Sequence, residues 1–185
     1  MLGILMFEII LIKLCSFIDV IVMIAGRLAS LLMPLLAFVV AYEVFSRYAL
    51  GSPTVWAFDL SLFMFGYMAA LGGAYAQQKR AHINVDILYL KVSHKTRSVF
   101  NLISFSLGIF FLVIIIMVSV GKYEEAIEFD YRRQTEWAPP MFHFWVMMII
   151  AAGLFIAQLS RDLLNELFYI VTSRVLIEEE NRDGN

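Results

Sequence analysis

Charge is what this sequence has least of. Only 16% of its 185 residues are Asp, Glu, Lys or Arg, whereas soluble domains carry about 25%. So few charges cannot cover a solvated surface, which excludes an ordinary soluble fold. Cysteine is reduced to Cys15, so neither an internal disulfide nor a cysteine-based metal site is available. Internal repeats and low-complexity runs are missing too, as are a Walker motif, a nucleophile elbow, a glycine-rich nucleotide turn and a carboxylate dyad deep in the chain. No enzymatic residue set remains, and neither a cofactor nor a nucleic-acid partner is expected.

What the chain has instead is apolar length. It is 61% hydrophobic, with 16 Phe and a mean hydropathy of +0.79. Four runs are long enough to cross a bilayer, which needs roughly 20 mostly apolar residues: Leu28 to Phe45, Leu60 to Ala76, Ser98 to Gly121 and Trp137 to Ser160. The first 26 residues are also oily but are interrupted by Glu8, Lys13 and Asp19. A cleaved signal peptide needs an early positive charge and a small-residue cleavage site, and neither is present. At 100° per residue Glu8, Lys13, Ser16, Asp19 and Arg27 fall within about 140° of one another, which suits a helix lying in the interface. A fifth span is the competing reading.

The fold class expected is therefore all-α integral membrane: four transmembrane helices plus an N-terminal interfacial amphipathic helix over residues 1–26. They form one domain, residues 1–175, with spans at about 28–48, 57–77, 97–121 and 138–162, followed by a cytoplasmic tail, 176–185. Gly51 and Pro53 in "LGSP" close the first span. "APP" opens the fourth, since Pro at the first helical position loses no intrahelical bond.

Four spans put both termini and the loop between the second and third on one side. Lys13, Arg27, Lys79, Arg80, Lys91, Lys95, Arg97, Arg161, Arg174 and Arg182 lie there, against Arg47, Lys122, Arg132 and Arg133 opposite. The positive-inside rule makes the termini cytoplasmic. The loop "KYEEAIEFDYRRQTEW" then faces out.

Glu43 and Arg47 stand four apart on one helix, acid first, and so share a face. Asp59 opens the next helix, where a carboxylate suits the positive end of the dipole, and is within reach of Arg47 on this reading. The three are read as a structural charge cluster; the sharper alternative is a proton or cation site, as intramembrane carboxylates suggest. Gly66, Ala70 and Ala74 recur every four residues with Gly73 on the adjoining row, a pattern that lets backbones approach closely in lipid. Either the row packs the bundle internally or it receives a partner helix. His82, Asp86 and His94 lack a third well-spaced ligand, so no metal site is expected.

The stretch "YEVFSRYALGSPTVWAFDLSLFMFGYMAALGGAYAQQKRAHINVDIL" resembles the DctQ-type small membrane subunit of tripartite ATP-independent periplasmic (TRAP) transporters. That family shows an E-V-x-x-R-Y turn, a Pro, then W-x-x-E or W-x-x-D, a small-residue-rich helix and a basic stretch with H-I-x-V-D. Here these are Glu43, Val44, Arg47 and Tyr48, then Pro53, Trp56 and Asp59, and finally Arg80, His82, Ile83, Val85 and Asp86. Asp59 departs from the commoner Glu, and the acidic outer loop is longer than in compact members. The resemblance implies a non-catalytic subunit of a sodium-coupled importer of organic acids in the bacterial inner membrane. Its implied partners are a large DctM-type subunit, which carries the substrate and sodium sites and moves as an elevator, and a periplasmic substrate-binding protein. It further implies that Glu43, Arg47 and Asp59 hold the first two spans in register, that Trp56 and the small-residue row serve packing or the subunit interface, and that Arg80, His82 and Asp86 form a motif loop. Two other classes fit four spans: a stand-alone proton-coupled exporter, and a membrane assembly protein unrelated to transport.

Overall fold

The computed structural model describes residues 2–79 and 94–172, and among them four helices account for nearly all the ordered backbone. They are α1 (Leu2–Ala49), α2 (Ala57–Gln78), α3 (His94–Glu128) and α4 (Phe142–Thr172). Each is long and apolar enough to cross a membrane. The four spans expected from the sequence are therefore present.

The N-terminal stretch is not a separate helix. α1 runs unbroken through Gly26 and Arg27 for 48 residues, about 72 Å at 1.5 Å per residue. The reason lies in its packing seam. Cys15, Val22, Gly26, Ala29, Val39 and Ser46 are buried, with Ile18, Leu32, Leu36 and Glu43 half-buried between them. Spacings of three and four residues keep one narrow stripe against neighbours along the whole length. Asp19 lies on this stripe and points inward, so the polar arc read from the sequence is not a single water-facing side.

α1 packs antiparallel on α2. Val39 meets Ala57 and Met64, with Leu32, Leu36, Trp56 and Leu60 around them. Further along, Gly26 accommodates Tyr75: a Cβ on Gly26 would sit 2.3 Å from the ring. α3 and α4 form a second core from Leu112, Ala152 and Leu159, flanked by Phe105, Ile109, Phe155 and Ile156. α2 and α4 run parallel and join the two halves, so the helices stand in the order α1, α2, α4, α3. Large side chains such as Phe38, Phe110 and Met117 point outward from the two flanking helices. That arrangement suits a solvent of lipid tails and would aggregate in water.

Both connections at one end of the bundle are folded tightly. Gly51 takes a φ of +63° and ends α1, as the sequence implied. Ser46 Oγ donates to the Ser52 carbonyl at 2.5 Å, and Ser52 N–H donates to the Ser46 carbonyl at 3.1 Å. Between α3 and α4, residues 129–141 double back through an antiparallel bridge of Arg132 with Pro140. Arg133 N–H donates to Pro139 at 3.0 Å and Met141 N–H to Tyr131 at 2.9 Å. These bonds hold Pro139 and Pro140 extended, so α4 starts at Phe142, later than "APP" suggested. Asp130 and Ala138 take positive φ values of 44° and 47°. Such left-handed non-glycine residues persist only where surrounding bonds fix them.

Candidate functional site

The residues singled out in the sequence form two ion pairs at this turn end, not one cluster. Arg47 Nη2 donates to Glu43 Oε1 at 2.5 Å and Nε to the same oxygen at 2.9 Å, one helical turn apart. Glu43 Oε2 accepts from the Thr54 N–H at 2.9 Å and from the Thr54 hydroxyl. Glu43 thus pins the turn after α1 back onto the helix, while Arg47, its side chain 53% exposed, lies at the rim.

Asp59 turns elsewhere. It is fully buried, and its Oδ1 lies 2.8 Å from Arg133 Nε, with Oδ2 accepting from the Thr135 hydroxyl. The partner expected on its own hairpin is replaced by one far along the chain, because the folded 129–141 loop drops two donors onto the N-terminus of α2. A carboxylate there also meets the positive end of the helix dipole. The ion pair is close but its N–H is off line, so the contact is Coulombic more than hydrogen-bonded. Trp56, just before α2, stacks on Tyr42 with ring centroids 6.0 Å apart and covers the α1–α2 core.

The small-residue row meets α4. A Cβ on Gly66 would lie 3.2 Å from Phe144, and one on Gly73 3.3 Å from Phe155. Ala74 is buried and Ala70 half-buried. Glycine at these two positions gives the α4 aromatic rings their seats. Nearby, His143 Nδ1 bonds the Tyr67 hydroxyl and its ring meets Phe63 edge-on at 4.7 Å. Arg80, His82 and Asp86 lie outside the described residues.

The sequence reading missed a second polar site, at the end of the bundle carrying the N-terminus. Arg161 is 8% exposed and faces Asp19 Oδ2 at 3.1 Å and Asp162 Oδ1 at 3.0 Å. Gln77 donates to Asp162 at 2.9 Å, Gln78 to the Asp19 carbonyl at 2.7 Å and Gln158 to Asp162 at 3.3 Å. Arg161 thus ties α1 to α4, and Gln77 and Gln78 bring α2 onto the same two acids. One turn further out, Asn101 of α3 donates to Glu166 at 2.5 Å. A signal was available: Gln158, Arg161 and Asp162 continue the face of Ala151 and Ala152, at spacings that keep polar groups on the buried side of α4.

These features define a helical membrane protein whose buried charges connect its own helices. Family comparison places it further. The chain matches the model of the DctQ component of tripartite ATP-independent periplasmic transporters over residues 36–168, and it belongs to that family. It is also 30% identical over 90 residues to the sialic acid TRAP transporter small permease protein SiaQ of Vibrio cholerae. That alignment covers 49% of this chain and 47% of the relative, about half the length of each.

Proposed function

We propose that this chain is the small, non-catalytic permease subunit of a sodium-coupled TRAP transporter that imports an organic acid, the chemical class of the relative's sialic acid. In this reading a large DctM-type membrane subunit binds substrate and sodium, a periplasmic protein delivers the substrate, and this chain is the fixed scaffold. The turn end, with the acidic 122–137 segment, faces the periplasm and takes part in docking the binding protein. Both termini are cytoplasmic. The charge bias supports that orientation even after Arg161 and Arg133 are set aside as internal ion-pair partners.

The observation that carries the proposal is the family match across 36–168 together with the arginine pairing of acids that lie between the helices. Asp59, Asp19 and Asp162 each face an arginine. A coupling carboxylate has to exchange protons or cations during a cycle, whereas an acid held by a guanidinium is suited to fixing structure.

Co-expression with a large TRAP membrane subunit tests it. The tagged chain should retain that subunit through purification, and proteoliposomes with both subunits and the binding protein should take up an organic acid only when sodium is supplied. Uptake by this chain alone would contradict the scaffold reading.

A further inference from the structure

Where α1, α2 and α4 meet near Arg161, the donors and acceptors of the buried polar layer can be counted. Asp162 Oδ2 accepts from Gln77 Nε2 at 2.9 Å, and its Oδ1 from Arg161 Nη1 at 3.0 Å and Gln158 Nε2 at 3.3 Å. Asp19 Oδ2 faces Arg161 Nη2 at 3.1 Å and its Oδ1 faces Gln78 Nε2 at 3.3 Å. Every carboxylate oxygen is therefore matched by a donor. Left over are Gln78 Oε1, Gln158 Oε1 and Arg161 Nε, all buried and without a hydrogen-bond partner in the protein. Gln158 is 1% exposed, so bulk solvent does not reach its amide. Rotating either amide by half a turn would set its carbonyl oxygen against a carboxylate, so the glutamine orientations are fixed by their neighbours.

We propose that this layer encloses a bound water that donates to the two glutamine carbonyls and accepts from Arg161 Nε–H. Two acceptors and one N–H donor are the complement of one water molecule. Both glutamines bind acids that Arg161 also binds, Gln158 through Asp162 and Gln78 through Asp19. A metal cation fits the set poorly, because an N–H cannot ligate it and the carboxylates already accept elsewhere. Two carboxylates in turn repel an anion. The water completes a lock among three segments far apart in sequence, and Cys15 sits at its edge. That thiol is fully buried and feels the charges of Arg161, Asp19 and Asp162. As the chain's one cysteine, it reports on the layer.

Brief X-ray radiolysis of the purified full chain in lipid nanodiscs, read by mass spectrometry, tests the site, since it creates hydroxyl radicals from water held inside a protein as well as outside. Met64 is the control, a buried sulfur in the apolar cluster with Val39 and Ala57. Corrected for intrinsic reactivity, Cys15 should be oxidised well above Met64, while maleimide leaves Cys15 unmodified in an unirradiated sample. The excess should be lost in Gln78→Leu/Gln158→Leu; if that variant does not fold, the wild-type comparison decides. Oxidation of Cys15 at the Met64 level, alkylation of Cys15 by maleimide, or an excess that survives in the folded double variant would overturn the proposal.

Discussion

Asp59 opens α2 and Arg133 lies in the loop before α4, yet their side chains stand 2.8 Å apart with Asp59 fully buried. This pair ties the first hairpin of the chain to the second at the turn end. Breaking a buried pair by deleting one partner costs about 3–5 kcal/mol when the remaining charge cannot reach water. Arg133→Ala should fall near the lower bound, because its side chain is 30% exposed. Asp59→Asn should cost less, since a neutral amide can still meet Thr135. Thermal denaturation of the two variants and of their double mutant checks this, and the two losses should not add.

The rim pair should behave differently. Arg47 is half exposed, so Arg47→Ala should lower the melting temperature much less than Arg133→Ala. Glu43→Gln should cost more than Arg47→Ala, because Glu43 also accepts from Thr54 at two donors. Equal or reversed losses would show that the turn after α1 does not depend on Glu43.

Much of this fold could be read from the sequence, and the limits have a physical pattern. Spans are legible because apolar runs are local, and Glu43–Arg47 is legible because i,i+4 spacing fixes a shared face. The Asp59–Arg133 pair joins residues far apart in the chain and depends on the left-handed residues of the 129–141 loop, which no local pattern announces. Arg161 and Asp162 follow an apolar run and so resemble an ordinary span end. They are internal because α1 continues past Asp19, and that continuation was hidden by the polar arc from Glu8 to Arg27.

Packing of α2 on α4 gives a graded test. Gly73→Leu places a side chain where a Cβ alone would approach Phe155 to 3.3 Å, and overpacking of this kind costs about 1–3 kcal/mol. Ala70→Leu should be milder, because it extends a side chain already in place by three carbons whereas Gly73→Leu adds four, the first of them in the tight contact with Phe155. Melting curves in detergent distinguish the two.

Orientation is accessible through single cysteines. In a Cys15→Ser background, Ser52→Cys and Gln134→Cys should react with a membrane-impermeant maleimide added to intact cells. Thr172→Cys should react only after permeabilisation. Labelling of position 172 from outside would invert the topology.

In the proposed role this chain supports coupled transport without binding the coupling ion. Uptake measured against sodium concentration decides it, using the chain reconstituted with the proposed large subunit and binding protein. Glu43→Gln, Arg47→Ala and Asp59→Asn should lower the yield or thermal stability of the complex and leave the sodium dependence of the surviving complex unchanged. A shifted sodium dependence in a variant that assembles at normal yield would contradict the account and make that residue part of the coupling site.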